Sequence, residues 1–389
     1  MMSNLAKIAP IVRGLLAEPT DNQDMLYEPV ILKSLTSKEA IDFAGTAKNA
    51  EAQHYPAPLT KGKNPPLFLN DVNYNAEPET LRKQLSDMIS DYSQRHGRKP
   101  EIVCLRELGI LYVERKDDNS DLPLQNKVAL ITGAAGAIGY GICCGLLENG
   151  CHLAATDLPG KKLDDFTADL KQTAGDHVTV IPIDVTDEES VVCGLESVSL
   201  TWGGIDIVVV NAGIPLVSFL KDIDLDDFQR LEKVNVEGAF LTLREIARHF
   251  ILQGTGGDVI IVSTKNVPSP GAGFGAYSAT KAACHQLGRI ASLELAQYGI
   301  RVNMVAPDGV FSEGKYKSGL WAEVGPDRMR ARGLDEKGLQ EYYQNRNLLK
   351  AKITGRHVSN AVLFFATRQT PTTGVTIPVD GGLPDATPR

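Results

Sequence analysis

From residue 128 onward, short and nearly continuous apolar runs recur at helix-length intervals: VALIT at 128–132, HLAAT at 152–156, VTVIPI at 178–183, IDIVVV at 205–210, DVIIVS at 258–263, RVNMVA at 301–306 and GVTIPV at 374–379. Runs that are apolar on both parities suit strands covered on both faces, and their alternation with helical segments predicts an α/β fold built on a doubly wound parallel sheet. Before residue 120 the texture is mixed. Helices are predicted at 37–53 and 79–95, with short extended runs at 67–69 and 102–113. The polar stretch ERKDDNSDLPLQN at 114–126 contains Pro123 and has the composition of a linker. It divides a smaller N-terminal α/β or α+β domain, 1–120, from a larger domain, 121–389.

Bulk properties narrow the classes of function. The chain has 389 residues, 43% of them hydrophobic and 23% charged, enough to bury a core without disulfides or metals. The net charge of −8 provides no basic stripe to neutralise phosphates, which argues against a nucleic-acid partner. Cys104, Cys143, Cys144, Cys151, Cys193 and Cys284 lack paired CxxC spacing and read as reduced thiols. The opening MMSNLAKIAP has no basic segment followed by an apolar one, and no run reaches 18 uninterrupted apolar residues, so no membrane partner and a cytoplasmic location are expected. His54, His96 and Glu51 are scattered and no HxH pair occurs, so no metal site is expected.

The first run of the larger domain leads directly into TGAAGAIG, 132–139, and then into a helical stretch. Strand, glycine turn and helix in that order form a phosphate cradle: the turn admits a pyrophosphate close to the backbone, and the helix's free amides stabilise its charge. Gly133, Gly136 and Gly139, with Ala137 and Ile138 between them, are the candidate contacts. Asp157 ends the next run about twenty residues later, where a carboxylate accepts hydrogen bonds from an adenosine ribose and repels a 2′-phosphate. The glycine turn contains no Arg or Lys, so NAD is favoured over NADP, with Lys161 and Lys162 close enough to weigh against that choice. Asp184 and Val185 follow the third run, and Asn211, Ala212 and Gly213 follow the fourth, all at strand ends where ligands bind in open α/β sheets.

In AYSATKAA, Tyr277 and Lys281 stand four residues apart in a helical context and share one face. Phenols titrate near about pH 10 and are poor proton donors or acceptors at neutrality, but a neighbouring ammonium favours the phenolate. Such a pair can exchange a proton with a substrate oxygen.

With these motifs in order, the sequence resembles the short-chain dehydrogenase/reductase family over roughly 126–382: TGAAGAIG, Asp184, NAG, Asn235 in VNVEG, a hydroxyl residue thirteen before the tyrosine, YSATK, VNMVAPD and TTGVTIPVDGG. The resemblance implies a Rossmann-like fold, with Tyr277 as general acid/base and Lys281 tuning it and holding the nicotinamide ribose. It also implies that Asn235 supports a proton-relay water and that a hydroxyl orients the carbonyl. Thr264 stands where serine is usual, with Ser263 beside it in reserve. Pro307, Asp308, Val310 and Ser312 fall where the nicotinamide end is contacted, Asp308 in place of the usual glycine. The glycine spacing, with Ala137 for the usual glycine, matches the family's epimerase and dehydratase branch, whereas NAG, Asn235 and the short DGG-ended C-terminus favour the dehydrogenase branch.

TKNVPSPGAGFGAYSATKAA, VNMVAPDGVF and LQEYYQNRNLLK further resemble the dehydrogenase half of bifunctional rhamnulose-phosphate aldolase/short-chain dehydrogenase proteins. That resemblance implies a short hydroxyaldehyde such as lactaldehyde, or the related alcohol, as substrate, and makes 1–120 at most an aldolase tail. The expected protein is therefore an NAD(H)-dependent oxidoreductase acting on a small carbonyl or alcohol as an aldehyde reductase or alcohol dehydrogenase. The segment 311–349 is expected to form a lid. The resemblance also implies a tetramer or dimer packed partly through the helix at 276–296. Two alternatives stay open: an NAD-using epimerase or dehydratase without net redox change, and a non-catalytic dinucleotide-binding scaffold.

Overall fold

The computed structural model describes all residues except 1–3, 23, 25, 46–54, 60–63, 115–121, 313, 315, 317, 323 and 387–389. The chain divides into two compact units, one of residues 1–121 with 195–205 and 248–255, the other of 122–194, 206–247 and 256–389.

The larger unit is built on seven strands: β1 (Val128–Ile131), β2 (His152–Asp157), β3 (Val178–Pro182), β4 (Ile207–Val210), β5 (Gly257–Val262), β6 (Ile300–Pro307) and β7 (Thr376–Val379). All seven follow the apolar runs of the sequence. They pair in parallel in the order β7-β6-β5-β4-β1-β2-β3. The sheet is thus doubly wound and Rossmann-like, reversing direction between β1 and β4, the crevice where such sheets bind ligands. The continuous apolarity of the runs has the expected cause, since every residue of β1, β4 and β5 is buried. Ile131, Leu153, Val209, Ile260 and Val305 pack with Ile142, Phe166, Val362 and Phe365 of the flanking helices.

The smaller unit carries a four-stranded sheet of Leu32–Leu35, Gly109–Val113, Ile102–Leu105 and Leu67–Leu69, in that order, with one parallel pair and two antiparallel ones. The extended run expected at 102–113 is two strands, because Glu107 adopts a left-handed conformation (φ 68°) and turns the chain back. The helix expected at 79–95 spans Pro78–His96, closed by the left-handed Gly97. Of the helix expected at 37–53, Lys38–Gly45 is helical, and 46–53, including Glu51, lies outside the described residues, as does His54. A helix that the pattern did not signal, Asn4–Leu16, contains Pro10 and buries nearly every side chain, Arg13 included. Leu5, Ile8 and Val12 of this helix pack with Leu69, Leu81, Leu85 and Val103.

Candidate active site

The glycine turn joins β1 to the helix Ala137–Glu148, and the capping residue before it, Gly136, offers no side-chain cap. Gly133 is left-handed (φ 64°), and a Cβ at Gly139 would stand 2.5 Å from Gly133 O and 2.6 Å from Ala134 O, so both residues must lack a side chain for the turn to close. Above the uncapped amides there is room, since a Cβ at Gly136 would meet nothing nearer than Gly133 O at 3.9 Å. This cradle fits a dinucleotide pyrophosphate. The Thr132 hydroxyl accepts from the main-chain N–H groups of Asn211 (3.0 Å) and Ala212 (3.1 Å). Asn211 in turn donates its Nδ2 to Thr132 O (3.0 Å) and Gly133 O (2.8 Å), which ties the end of β4 to the turn.

At the end of β2, Asp157 accepts from Ala135 N through Oδ2 and from Leu158 N through Oδ1, both at 2.9 Å. Each oxygen keeps a further lone pair for a hydroxyl. Lys162 stands 3.7 Å from Oδ2 and is largely exposed. Asp184 accepts from Thr186 N (2.9 Å) and Thr186 Oγ1 (2.8 Å), a turn that fixes the chain leaving β3. Val185 is buried beside Ile183 and Val191.

A cavity of about 660 Å³ is lined by Ile138, Asn211, Gly213, Ser263, Thr264, Tyr277, Lys281, Pro307, Asp308 and Val310, and extends to Lys265, Phe274, Arg328, Arg332 and Arg346. Tyr277 and Lys281 lie on the helix Gly275–Leu295 and point into it. Lys281 Nζ donates to Val262 O at 3.1 Å. A Cβ at Gly213 would stand 3.0 Å from Asn235 Oδ1 and 3.1 Å from Lys281 Nζ, which shows how closely those groups converge beside the NAG turn. Asn235 sits in a π-helical turn, Lys233–Glu237, the kind of local widening common at functional sites. Its Oδ1 accepts from Ile214 N (2.9 Å), while its Nδ2 donates to Ile214 O (3.0 Å) and Thr280 Oγ1 (3.2 Å). With both N–H donors engaged, a water at this side chain has to donate to Oδ1.

The family model for short chain dehydrogenases matches residues 127–321, half of the chain. The chain belongs to the short-chain dehydrogenase family. Members of this family are oxidoreductases that use a nicotinamide dinucleotide, and the glycine cradle suits that group. Among curated relatives, an uncharacterized oxidoreductase of Bacillus subtilis, YuxG, is 35% identical over 265 residues, 68% of this chain and 38% of the relative. The chain therefore matches little more than a third of that protein's length. The sorbitol-6-phosphate 2-dehydrogenase of Escherichia coli is 29% identical over 259 residues, 66% of this chain and 98% of the relative. The crystal structure of a short-chain type dehydrogenase/reductase from Mycobacterium marinum superposes with a TM-score of 0.57 at 29% identity, covering 68% of this chain and 98% of that one.

Within this dehydrogenase the two candidate hydroxyls separate. Ser263 Oγ lies 2.9 Å from His285 Nδ1, so the reserve residue is engaged with a histidine. His285 Nε2 reaches Thr376 Oγ1 at 3.5 Å. Burial, assisted by the charge of Arg289, pulls the His285 pKa below the ordinary histidine value. Thr264 Oγ1 accepts weakly from Asn266 N at 3.3 Å and lines the cavity with Tyr277.

Of the residues expected at the nicotinamide end, one lies outside the cavity and another is engaged by an arginine. Ser312 is exposed and does not line it, because its hydroxyl accepts from Ser318 N at 3.1 Å. Asp308 does line it but is held by Arg346, whose Nε donates at 2.9 Å and whose Nη2 donates to the other carboxylate oxygen. Burial opposes the Arg346 charge, but the hydrogen bonds to Asp308 and that carboxylate's charge outweigh it, so the guanidinium titrates above the ordinary arginine value.

The segment 311–349 forms the helices Gly319–Ala322, Gly325–Arg332 and Glu336–Asn345. Its aromatics mainly pack: Phe311 and Tyr343 with Leu339, and Trp321 against both rings. Tyr316 stacks on Tyr140 at 4.0 Å and donates to Asp169. The basic wall of Lys265, Arg328, Arg332 and Arg346 was missed by motif reading. Its one sequence trace is RMRARG, which places Arg328 and Arg332 four apart in a helix-prone stretch. Among the described residues no cluster suits a metal ion, and no helix is long and apolar enough to cross a membrane.

Proposed function

We propose that this dehydrogenase uses NAD(H) to interconvert a short-chain aldehyde, hydroxyaldehyde or ketone with its alcohol. The observation that carries the reading is that Tyr277, Lys281 and Thr264 line one cavity whose wall continues to Ile138 and Gly213 beside the glycine turn. When bound, the dinucleotide supplies or accepts the hydride. Tyr277 gives a proton to the carbonyl oxygen or takes one from the alcohol, and the Thr264 hydroxyl orients that oxygen. Lys281 places its positive charge one helical turn from the phenol and beside Gly213, where it holds the nicotinamide ribose. Asn235 braces this end by clamping Ile214 and Thr280.

The choice of NAD rests on Asp157, whose two oxygens keep lone pairs for ribose hydroxyls and whose charge repels a 2′-phosphate. Lys162 forms a loose ion pair with Asp157 at 3.7 Å, and its exposure to solvent keeps that pair weak. Gly133, Gly136, Ala137, Ile138 and Gly139 hold the pyrophosphate side, Asp184 and Val185 flank the adenine, and Pro307, Asp308 and Val310 edge the nicotinamide.

The N-terminal part of the chain, which shares a compact unit with 195–205 and 248–255, is a domain apart from the catalytic one, resembling at most an aldolase tail. The larger domain corresponds to the dehydrogenase half of bifunctional aldolase/dehydrogenase proteins, a reading supported by the greater length of the Bacillus subtilis relative. Ile290 (41% exposed) and Leu293 (81% exposed) on the Gly275–Leu295 helix supply an apolar face for a homodimer or homotetramer. A cytoplasmic location is in keeping with its free cysteines.

Short aldehydes, hydroxyaldehydes and ketones presented with NADH and NADPH test the reading. Carbonyl loss matched mole for mole by NADH oxidation, with NADPH much poorer, is expected. Isomerisation or dehydration without net NADH consumption would replace it with the epimerase reading.

A further inference from the structure

Arg328 is 7% exposed, its Nε has no hydrogen-bond partner, and among the described residues it makes no ion pair. Its guanidinium lies 4.8 Å from the Phe274 ring centre, and that ring is 6.1 Å from the ring of Tyr277. An arginine stays charged at any physiological pH, so burying one without a counter-charge is unfavourable unless something arrives to neutralise it. Contact with one aromatic face offsets this only in part.

The other charges of the wall divide unevenly. Arg346 is neutralised by Asp308 through two hydrogen bonds. Lys265 is held below the ordinary lysine value by burial and then by the charges of Arg346 and Arg328, against the opposing influence of Asp308 and Asp385. Its ammonium is tied to Ser269 O at 3.1 Å. Arg332, one helical turn beyond Arg328 and stacked at 4.0 Å on Tyr342, makes no ion pair among the described residues. Asp385 also lines the wall and offsets the charge of Lys265, so Arg328 and Arg332 are the two positive charges on one helix face that have no ion-pair partner among the described residues, at the wall of the cavity that holds Tyr277.

We propose that Arg328 and Arg332 form an oxyanion subsite that takes a phosphate or carboxylate carried by the substrate, at the end of the molecule remote from the reacting carbonyl. This rests on the oxidoreductase reading for the word substrate, but the subsite itself does not. The planar guanidinium fork matches either oxyanion in bidentate fashion, and two unpaired charges match a dianionic phosphate monoester better than a single carboxylate. The anion then completes the charge balance of the wall, and one aromatic ring separates Arg328 from the phenol.

The test titrates inorganic phosphate, and separately acetate, into the protein at constant ionic strength, with NADH bound so that the glycine turn is filled. NADH binding is recorded first. Saturable phosphate binding is expected, weakened at least tenfold in Arg328→Gln, less in Arg332→Gln, and unchanged in Arg330→Gln, which alters an exposed arginine paired with Asp327. Acetate binding as tightly, with the same dependence on Arg328, assigns the subsite to carboxylates, and phosphate binding more tightly assigns it to phosphates. No saturable binding of either anion, or equal weakening in Arg328→Gln and Arg330→Gln, overturns the proposal. If NADH does not bind, the same titration without it still decides the subsite, and the oxidoreductase reading falls separately.

Discussion

Each of the two units has its own internal contacts, and these differ greatly in reach along the chain. In the larger one, the candidate catalytic groups lie on short segments whose local order sets their geometry: the glycine turn after β1, Asp157 at the end of β2, the NAG turn after β4, and Tyr277 with Lys281 one helical turn apart. In the smaller one, the central polar knot joins residues up to 240 positions apart. Arg13 donates from Nε to Val30 O (2.7 Å) and from Nη1 to Gln253 Oε1 (3.4 Å). Gln253, fully buried, accepts from Ile205 N (3.1 Å) and donates to Ile205 O (2.9 Å) and Thr255 Oγ1 (2.9 Å). Arg82 Nη1 donates to Leu252 O and Gln253 O, both at 2.9 Å, satisfying carbonyls at the end of the Gly238–Gln253 helix. Local chemistry sets the first region and chain closure sets the second.

The sharpest way to break the second region is Gly14→Val. A Cβ there would stand 1.8 Å from Gln253 O, a backbone atom that cannot step aside without moving its helix end. The expected loss is about 3 kcal/mol, with amide exchange accelerated at 248–255 and unchanged in β1. Gln253→Leu should cost about 2 kcal/mol, because Ile205 N–H and C=O lose their partner together while the volume is kept, and denaturant unfolding measures it.

In the first region, Asp157→Ser should act on specificity more than on folding. The ratio of kcat/KM for NADH over NADPH is expected to fall about tenfold, on the order of 1.4 kcal/mol, as the repulsion of a 2′-phosphate is removed. The smallest effect concerns His285. Its folded pKa is depressed by burial, so its contribution is fully present above the ordinary histidine value and is lost as pH falls from there through the depressed one. Melting temperatures of wild type and His285→Gln should therefore draw together as the solution is acidified. A difference that widens instead would reverse the assigned direction.

This contrast also explains what the amino-acid sequence made visible. The central strands of the parallel sheet announce themselves because burial on both faces calls for apolar residues at nearly every position, whereas the partly buried edge strands β3 and β7 show through their β-branched runs. The glycine turn does so because its closure forbids side chains at Gly133 and Gly139. The Asn4–Leu16 helix gave no such sign, since Pro10 within it argues against a helix in the sequence and burial of nearly every side chain removes the polar face that marks a surface helix. The partners of Arg13 and Arg82 lie far along the chain, so no local pattern encodes them. Within the site, motif order pointed to Tyr277, Lys281, Thr264 and Asn235, whereas the engagement of Ser263 by His285 and of Asp308 by Arg346 depends on side chains from separate elements. The basic wall lay hidden for the same reason, with Arg328 and Arg332 on one helix, Arg346 after another and Lys265 beyond β5.

The central claim, that Tyr277 is the proton-transfer group of a nicotinamide-dependent reduction, is tested most directly by steady-state turnover of Tyr277→Phe alongside titration of NADH into the same protein. A kcat lower by about 100-fold to 10,000-fold is expected, with NADH affinity within about twofold of wild type. Turnover undiminished by the loss of the hydroxyl would contradict it.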